Sequence, residues 1–256
     1  MKIVTCFKVV PEEQDIEVTS GGQLSFARAK AAISSYDLNA IEAGAQLAET
    51  GGHELVGLSI GNAAIHDSKL KKGALSRGLD SLFMVADEKL NQMDTHQTAV
   101  VLKKAIEKME GADLILCGEG SSDLYAQQVG IQLGALLDMN VVNSVSKITE
   151  ENGCLLVERT LEEEIEILEV PLPAVLSVTS FINLPRIPGM KNILAAGKKP
   201  STVWSAEEVA SEVPPATISV LEVKAPEQTE RLQNIIDGDT DEQIQEFIEK
   251  VSAAIQ

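Results

Sequence analysis

The chain has 256 residues, enough for one large α/β domain with an appended tail or for two small domains, and 44% of them are apolar, ordinary for a globular protein with a substantial core. A formal net charge of −18 excludes nucleic acid as a partner, because its phosphates would be repelled, and fits either a well-solvated surface or one that meets a basic protein face. No apolar run approaches the ~20 residues that span a bilayer. The start Met1-Lys2-Ile3-Val4-Thr5-Cys6 has no leader pattern, and three cysteines without CxxC spacing (Cys6, Cys117, Cys154) cannot all pair. The expectation is a cytoplasmic chain with reduced thiols and no stable membrane insertion. Aromatics are scarce (Trp204, Tyr36, Tyr125 and five Phe), so an aromatic flavin cage made by this chain alone is not expected.

Residues 2–7 form a β-prone run that reads as a first strand. A polar stretch with Gly21-Gly22 follows, and a helix opens at Asp37-Leu38-Asn39-Ala40 and runs to about Glu49, with Asp37 as its N-cap. Residues 54–61 read as a buried strand stopped by glycine, 63–76 as helix, 82–85 as strand, and 95–108 as helix. Residues 113–118 are again an apolar strand ended by glycine, and 123–137 read as helix. Strands apolar on both faces that alternate with helices specify an α/β fold with a parallel sheet flanked by helices, Rossmann-like in kind. Ligands of such sheets sit beyond the carboxyl ends of the strands, which nominates residues 6–8, 60–62 and 117–123.

From about residue 141 the pattern changes. Residues 154–160 and 165–170 read as an added β-hairpin joined by the acidic turn Glu162-Glu163-Glu164, and 174–178 as a last apolar strand. The stretch 180–200 is rich in Pro, Gly and Lys. Beyond Trp204 the chain turns acidic and loop-like, with a final amphipathic helix at about 241–254. This divides it into a body, 1–205, and an extended C-terminal arm, 206–256, expected to pack on a partner or back on its own domain.

The richest segment is Gly118-Glu119-Gly120-Ser121-Ser122-Asp123-Leu124-Tyr125-Ala126-Gln127-Gln128-Val129-Gly130, between a buried strand and a helix. Free N–H groups, two serine hydroxyls and a helix N-terminus suit an anion, although such a loop is equally a plain turn. It lacks the third glycine of GxGxxG and a Walker A lysine. Ser34-Ser35-Tyr36-Asp37 reads as a helix cap or as a contact to adenine or ribose. His53, His66 and His96 are scattered without metal-ligand spacing, no GxSxG is present, and no phosphate-gripping SGGxDS occurs. Nucleotide-holding loops without catalysts describe a carrier or binding protein.

Residues 157–177, Val-Glu-Arg-Thr-Leu-Glu-Glu-Glu-Ile-Glu-Ile-Leu-Glu-Val-Pro-Leu-Pro-Ala-Val-Leu-Ser, closely resemble the signature of electron transfer flavoprotein β subunits. Agreement extends along the chain through Ile-Val-Thr-Cys-Phe-Lys at 3–8, Tyr-Asp-Leu-Asn-Ala-Ile-Glu-Ala at 36–43, Ser-Ile-Gly at 59–61, Ser-Arg-Gly at 76–78 and Asn-Leu-Pro-Arg-Ile-Pro at 183–188, and the wording resembles the Fix-type bacterial branch. The resemblance implies an adenine-nucleotide-binding domain, an α-subunit partner that holds most of the FAD site, and a structural AMP in this chain. By position the AMP contacts are Cys6, Ser34, Ser35, Tyr36, Asp37, Ile60 and the loop 118–129. It further implies a docking loop for flavoprotein dehydrogenases, such as acyl-CoA dehydrogenases, at Arg186-Ile187-Pro188-Gly189-Met190-Lys191-Asn192-Ile193-Leu194-Ala195, with Met190 as the apolar anchor.

Two positions depart from the family pattern. Thr160 replaces a carboxylate that in many relatives helps hold the mobile flavin domain. Ser122-Asp123-Leu124-Tyr125 replaces the Asp-Gly-Asp-Thr of bifurcating members, which hold a second FAD, so AMP is the expected ligand. The rival from another class is a universal-stress-type nucleotide-binding regulator, whose sequences end soon after the nucleotide domain.

Overall fold

A computed structural model of the chain describes residues 1–151, 153–210, 212–226 and 233–255. β1 (Lys2–Cys6) is an interior strand of a nine-stranded sheet. β2 (Val9–Pro11), β3 (Glu17–Val18), β4 (Leu24–Ser25) and β5 (Ala31–Ile33) are short and form two antiparallel pairs outside it, β2 with β5 and β3 with β4. The chain then enters α1 (Ser35–Gly51), which stops on Gly52 in the left-handed region at φ 68°, where the Gly52 N–H closes the last turn on Ala48. The winding continues through β6 (Glu54–Gly61), α2 (Ser68–Leu75), β7 (Ser81–Ala86), α3 (Thr95–Lys108), β8 (Leu114–Gly118) and α4 (Val129–Leu137). After it come β9 (Asn140–Glu151), β10 (Cys154–Thr160), β11 (Ile165–Val170) and β12 (Ala174–Val178). α5 (Met190–Ala196), β13 (Ser201–Trp204), α6 (Ala206–Val209) and α7 (Asp241–Ile255) complete the described elements.

The sheet order is β11-β10-β9-β12-β8-β1-β6-β7-β13, parallel from β9 to β13 and antiparallel across β9, β10 and β11. Strand residues alternate between two cores. Leu114, Leu116, Ala174 and Leu176 face the side of α1, whereas Ile115, Cys117 and Val175 face the side of α3 and α4. Helices on both faces leave the central strands no wet side, which is why they are apolar throughout. α1 lies close on the sheet because residue 44 is glycine. A Cβ there would come 2.7 Å from Leu55 Cδ1 and 2.8 Å from Thr5 Cγ2.

The hairpin is not a separate unit. β9 pairs parallel with β12 near its start and antiparallel with β10 toward its end, so one sheet continues into the hairpin. Neither β9 nor β13 nor α5 was read from the sequence. β9 (Asn-Val-Val-Asn-Ser-Val-Ser-Lys-Ile-Thr-Glu-Glu) mixes polar residues into a half-exposed strand, and β13 is a four-residue edge. Three expected boundaries also move. The helix read over 63–76 is a 3-10 turn at Ala63–His66 followed by α2, which Asp67 caps through the Lys69 and Leu70 N–H groups. α4 starts at Val129, not Asp123, because residues 123–128 stay in the loop with Tyr125 at φ 46° and Gln127 at φ 57°. α1 starts at Ser35 with Ser34 at the cap position, so Asp37 lies in the first turn and is not the cap.

The chain beyond β13 first holds to its own body. Ala206 and Ala210 are buried, Pro214 O accepts from Gln97 Nε2 (2.7 Å), and Asp94 accepts from the Thr217 N–H (2.5 Å) and hydroxyl (2.8 Å). Ala225 N–H reaches Gly22 O (2.9 Å). α7 buries no residue.

Candidate functional site

β1 connects through α1 to β6 on one side, and β8 joins β1 on the other, so the winding reverses between β1 and β8. Segments leaving these two strands go to opposite faces and open a crevice at their carboxyl ends, the usual ligand position in such sheets. Asp37 sits in that crevice. Its Oδ2 accepts the Lys8 N–H (2.7 Å) and its Oδ1 accepts the Gly118 N–H (3.1 Å), so one carboxylate ties together the ends of both strands. Burial pushes Asp37 up to about 7, against the two N–H groups, which lower it. Gly118 has no room for a side chain, since a Cβ would meet Asp37 Oδ1 at 2.7 Å and the Tyr36 carbonyl carbon at 2.8 Å.

Ser34 is fully buried beside Asp37, and its Oγ accepts the Ser122 N–H at 3.3 Å. Lys8 Nζ binds Asp123 Oδ2 at 2.5 Å, and although burial would raise the Asp123 carboxyl, that cation holds it below the usual range. The Tyr36 and Tyr125 rings lie 5.0 Å apart at 42°. The Tyr125 ring also covers Gly120, where a Cβ would come 2.5 Å from Tyr125 Cδ2. Left-handed backbone at Tyr125 and Gln127 costs on the order of 1–2 kcal/mol each, and such strain concentrates where a loop is shaped for a task.

Behind the loop, the first-turn N–H groups of α4 (Val129, Gly130 and Ile131) lie beyond the helix's own hydrogen bonding. Gly130 lets that turn approach β12, since a Cβ would meet Ser177 Oγ at 2.3 Å. Cys6 and Cys117 are buried neighbours, because Thr5 pairs with Leu116 one residue earlier on each strand. The hydrogen bond to Cys117, and then burial, push the Cys6 thiol well up, so it is a neutral floor group. The Ile60 side chain is buried in the α3-side core, which leaves only its backbone at the strand edge.

The structure thus brings together Cys6, Ser34, Tyr36, Asp37, Gly118, Gly120, Ser122, Asp123 and Tyr125. Leu124, Ala126, Gln127 and Gln128 are exposed on the outer part of the loop. Lys8 lies in the nominated segment 6–8 but not among the expected nucleotide contacts, and it enters the site through its backbone N–H to Asp37 and its ion pair with Asp123. The chemistry available is N–H and hydroxyl donation around a bound group. Among the described residues no three His, Cys, Asp or Glu side chains are placed to hold a metal.

Two other features stand apart from the crevice. An open groove of about 610 Å³ lies between α1 (Gln46, Leu47, Thr50) and β9 (Lys147, Thr149, Glu150), away from the strand ends. The segment after β12 carries Phe181, Leu184, Ile187, Met190 and Leu194 in exposed positions, three of them 90% exposed or more (Phe181, Leu184, Ile187). Large apolar side chains exposed together along one segment are uncommon on a protein surface. In the hairpin, Arg159 reaches Glu166 (3.1 Å) and Asn143 (2.8 Å), and the Thr160 hydroxyl donates to Ser146 Oγ (2.7 Å).

Fold and crevice define a doubly wound α/β protein with a crevice at its switch point. Residues 23–209 match the family model of the electron transfer flavoprotein domain, and the chain belongs to that family. Its members bind flavin and carry electrons between flavoprotein partners, and are not enzymes of group transfer. The universal-stress-type reading gives way to this match, which continues through the hairpin to α6. Among the described residues no helix is long and apolar enough to cross a membrane.

Proposed function

We propose that the chain is the β subunit of a heterodimeric electron transfer flavoprotein that works in the cytoplasm, with AMP as a structural ligand in the crevice between β1 and β8. The carrying observation is the convergence of Ser34, Asp37, Gly118 and the loop 119–128 at the switch point of a chain in this family. The donor set suits AMP. Loop N–H groups and the first turn of α4 offer donors to a phosphate, Ser121 and Ser122 add hydroxyls, and Tyr36 offers an aromatic face to adenine. The Tyr125 ring, seated on Gly120 and against Tyr36, favours this smaller nucleotide over a second FAD, whose pyrophosphate and ribityl chain need that space.

The redox-active FAD, held mainly by an α subunit, supplies one- and two-electron chemistry when bound. This chain holds its nucleotide, offers the hairpin and the outer apolar face of α7 to the α subunit, and presents residues 186–195 to a flavoprotein dehydrogenase. The flexible thioether of Met190, 73% exposed, suits a surface that must fit more than one pocket. Coexpression with an α subunit, acid extraction and chromatography of the nucleotides test the proposal. One FAD and one AMP per heterodimer are expected, with no stoichiometric FAD on the chain expressed alone. Two FAD and no AMP would replace simple transfer by bifurcation, and a yellow, reducible monomer would end the β-subunit reading.

A further inference from the structure

The chain that leads from β12 into the docking segment 186–195 is held by few bonds of its own. Between β12 and α5 the backbone makes a turn at Ile182, whose N–H reaches Thr179 O, and no ladder or helix supports residues 183–188. Its ties run instead to α1. Asn39 Nδ2 donates to Ser180 O (3.3 Å) and Asn183 O (2.9 Å), and Asn183 Nδ2 donates back to Asn39 O (3.0 Å). Three residues further along α1, the Glu42 carboxylate accepts from Arg186 N (3.1 Å), Nε (2.6 Å) and Nη2 (3.1 Å), and from Gln46 Nε2 (2.9 Å). Glu49 takes Nη2 at 3.2 Å and also binds Nη1. Positions 39, 42, 46 and 49 follow the i, i+3, i+7 spacing of one helix face, so a polar stripe on α1 runs under the segment.

We propose that Arg186, at the head of this segment, is a positioning residue: its side chain clamps the segment onto α1 through Glu42 and Glu49, and acts on docking through the residues it holds in place. The proposal rests on the docking reading above. The side chain is turned inward, with Nε and both terminal nitrogens engaged by carboxylates, which leaves it little to offer a second protein. Glu42 is buried, so its charge needs this fork. Burial would raise the Glu42 carboxyl, but the hydrogen bonds from Arg186 and Gln46 outweigh it and hold it below the usual range. The consequence lies on the far side of the segment. Leu184, Ile187 and Met190 stay in water because the chain beneath them is pinned, and a pinned apolar surface loses less entropy on docking.

The first measurement is hydrogen exchange by mass spectrometry on the full chain. Arg186→Gln should speed exchange in peptides covering residues 180–190 about tenfold or more, while β8 and β12 keep the wild-type rate. Arg186→Lys should recover only part of the protection, because an ammonium cannot span both carboxylates as a rigid fork. Glu49→Gln, which removes only the exposed half of the clamp, should give the same pattern in smaller degree. Wild-type exchange rates in Arg186→Gln would overturn the proposal.

The second measurement uses the heterodimer and a flavoprotein dehydrogenase that reduces the wild type saturably. Arg186→Gln should raise KM for the heterodimer about tenfold with kcat and flavin content unchanged. An unchanged KM in Arg186→Gln, with Met190→Ala raising it, would also overturn the proposal. An unchanged KM in Met190→Ala, with faster exchange in Arg186→Gln, would remove the docking reading and leave the clamp standing.

Discussion

α3 and α7 start alike and end differently. They have 14 and 15 residues, and each opens on a reciprocal cap with glutamine three residues in, Asp94 with Gln97 and Thr240 with Gln243. Both are amphipathic. α3 lays Ala99, Val101, Leu102, Ala105 and Ile106 into the core, whereas Ile244, Phe247, Ile248, Val251 and Ile255 of α7 face water. Capping and periodicity are local and are satisfied in both helices. Most helical stability comes from packing of the apolar face, and an isolated helix of this length is marginal. The body therefore completes itself, whereas the apolar face of α7 is left uncovered by the described residues.

Substitutions in the two regions should separate accordingly. Leu102→Ala in α3 should cost about 2–5 kcal/mol of unfolding free energy in the chain alone, measured by urea titration. A loss below 1 kcal/mol would mean that the α3 face is not the core it looks to be.

Asp37 sharpens the contrast, since it is an ionisable group placed inside the body. Its folded-state value is raised from 3.8 to about 7, so the native state binds the extra proton in between. Its contribution to stability is full below about pH 4 and is lost as pH rises through about 7, on the order of a few kcal/mol. In Asp37→Asn that dependence disappears. The melting temperature of the wild type minus that of the variant should fall steadily from pH 4.5 to pH 7.5, and a flat difference would show that the carboxyl titrates normally.

On the outer surface, Met190→Ala should weaken association with the dehydrogenase by roughly 2 kcal/mol and leave the stability of the chain and the FAD content of the heterodimer unchanged. The smallest effect on the chain itself is expected from Phe247→Ala in α7, within about 0.5 kcal/mol. The same variant should weaken binding to the α subunit in a titration. If Phe247→Ala destabilises the isolated chain as much as Leu102→Ala does, the comparison of the two helices collapses.

The sequence by itself determined the elements that local physics specifies. The apolar runs at 54–61 and 113–118 can only be buried strands. Residues 95–108 carry a helical period, and residues 157–177 carry the family pattern. Candidate site positions were legible where they end a strand, as at Cys6 and Gly118, because the carboxyl edge of a parallel sheet is a predictable location.

Tertiary structure alone decided the rest. β9 holds its polar sequence as a strand because β12 and β10 pair with it on either side, and β13 exists because β7 offers a free edge. Asp37 looked like a cap and became a tie between two strand ends, since its partners Lys8 and Gly118 lie 29 and 81 residues away. Arg186 looked like part of a surface and turned inward to carboxylates on a helix 137 and 144 residues earlier. Caps, turns and periodicity act over a few residues and can be read in order along the chain, whereas hydrogen bonds between distant segments exist only once the sheet has brought those segments together.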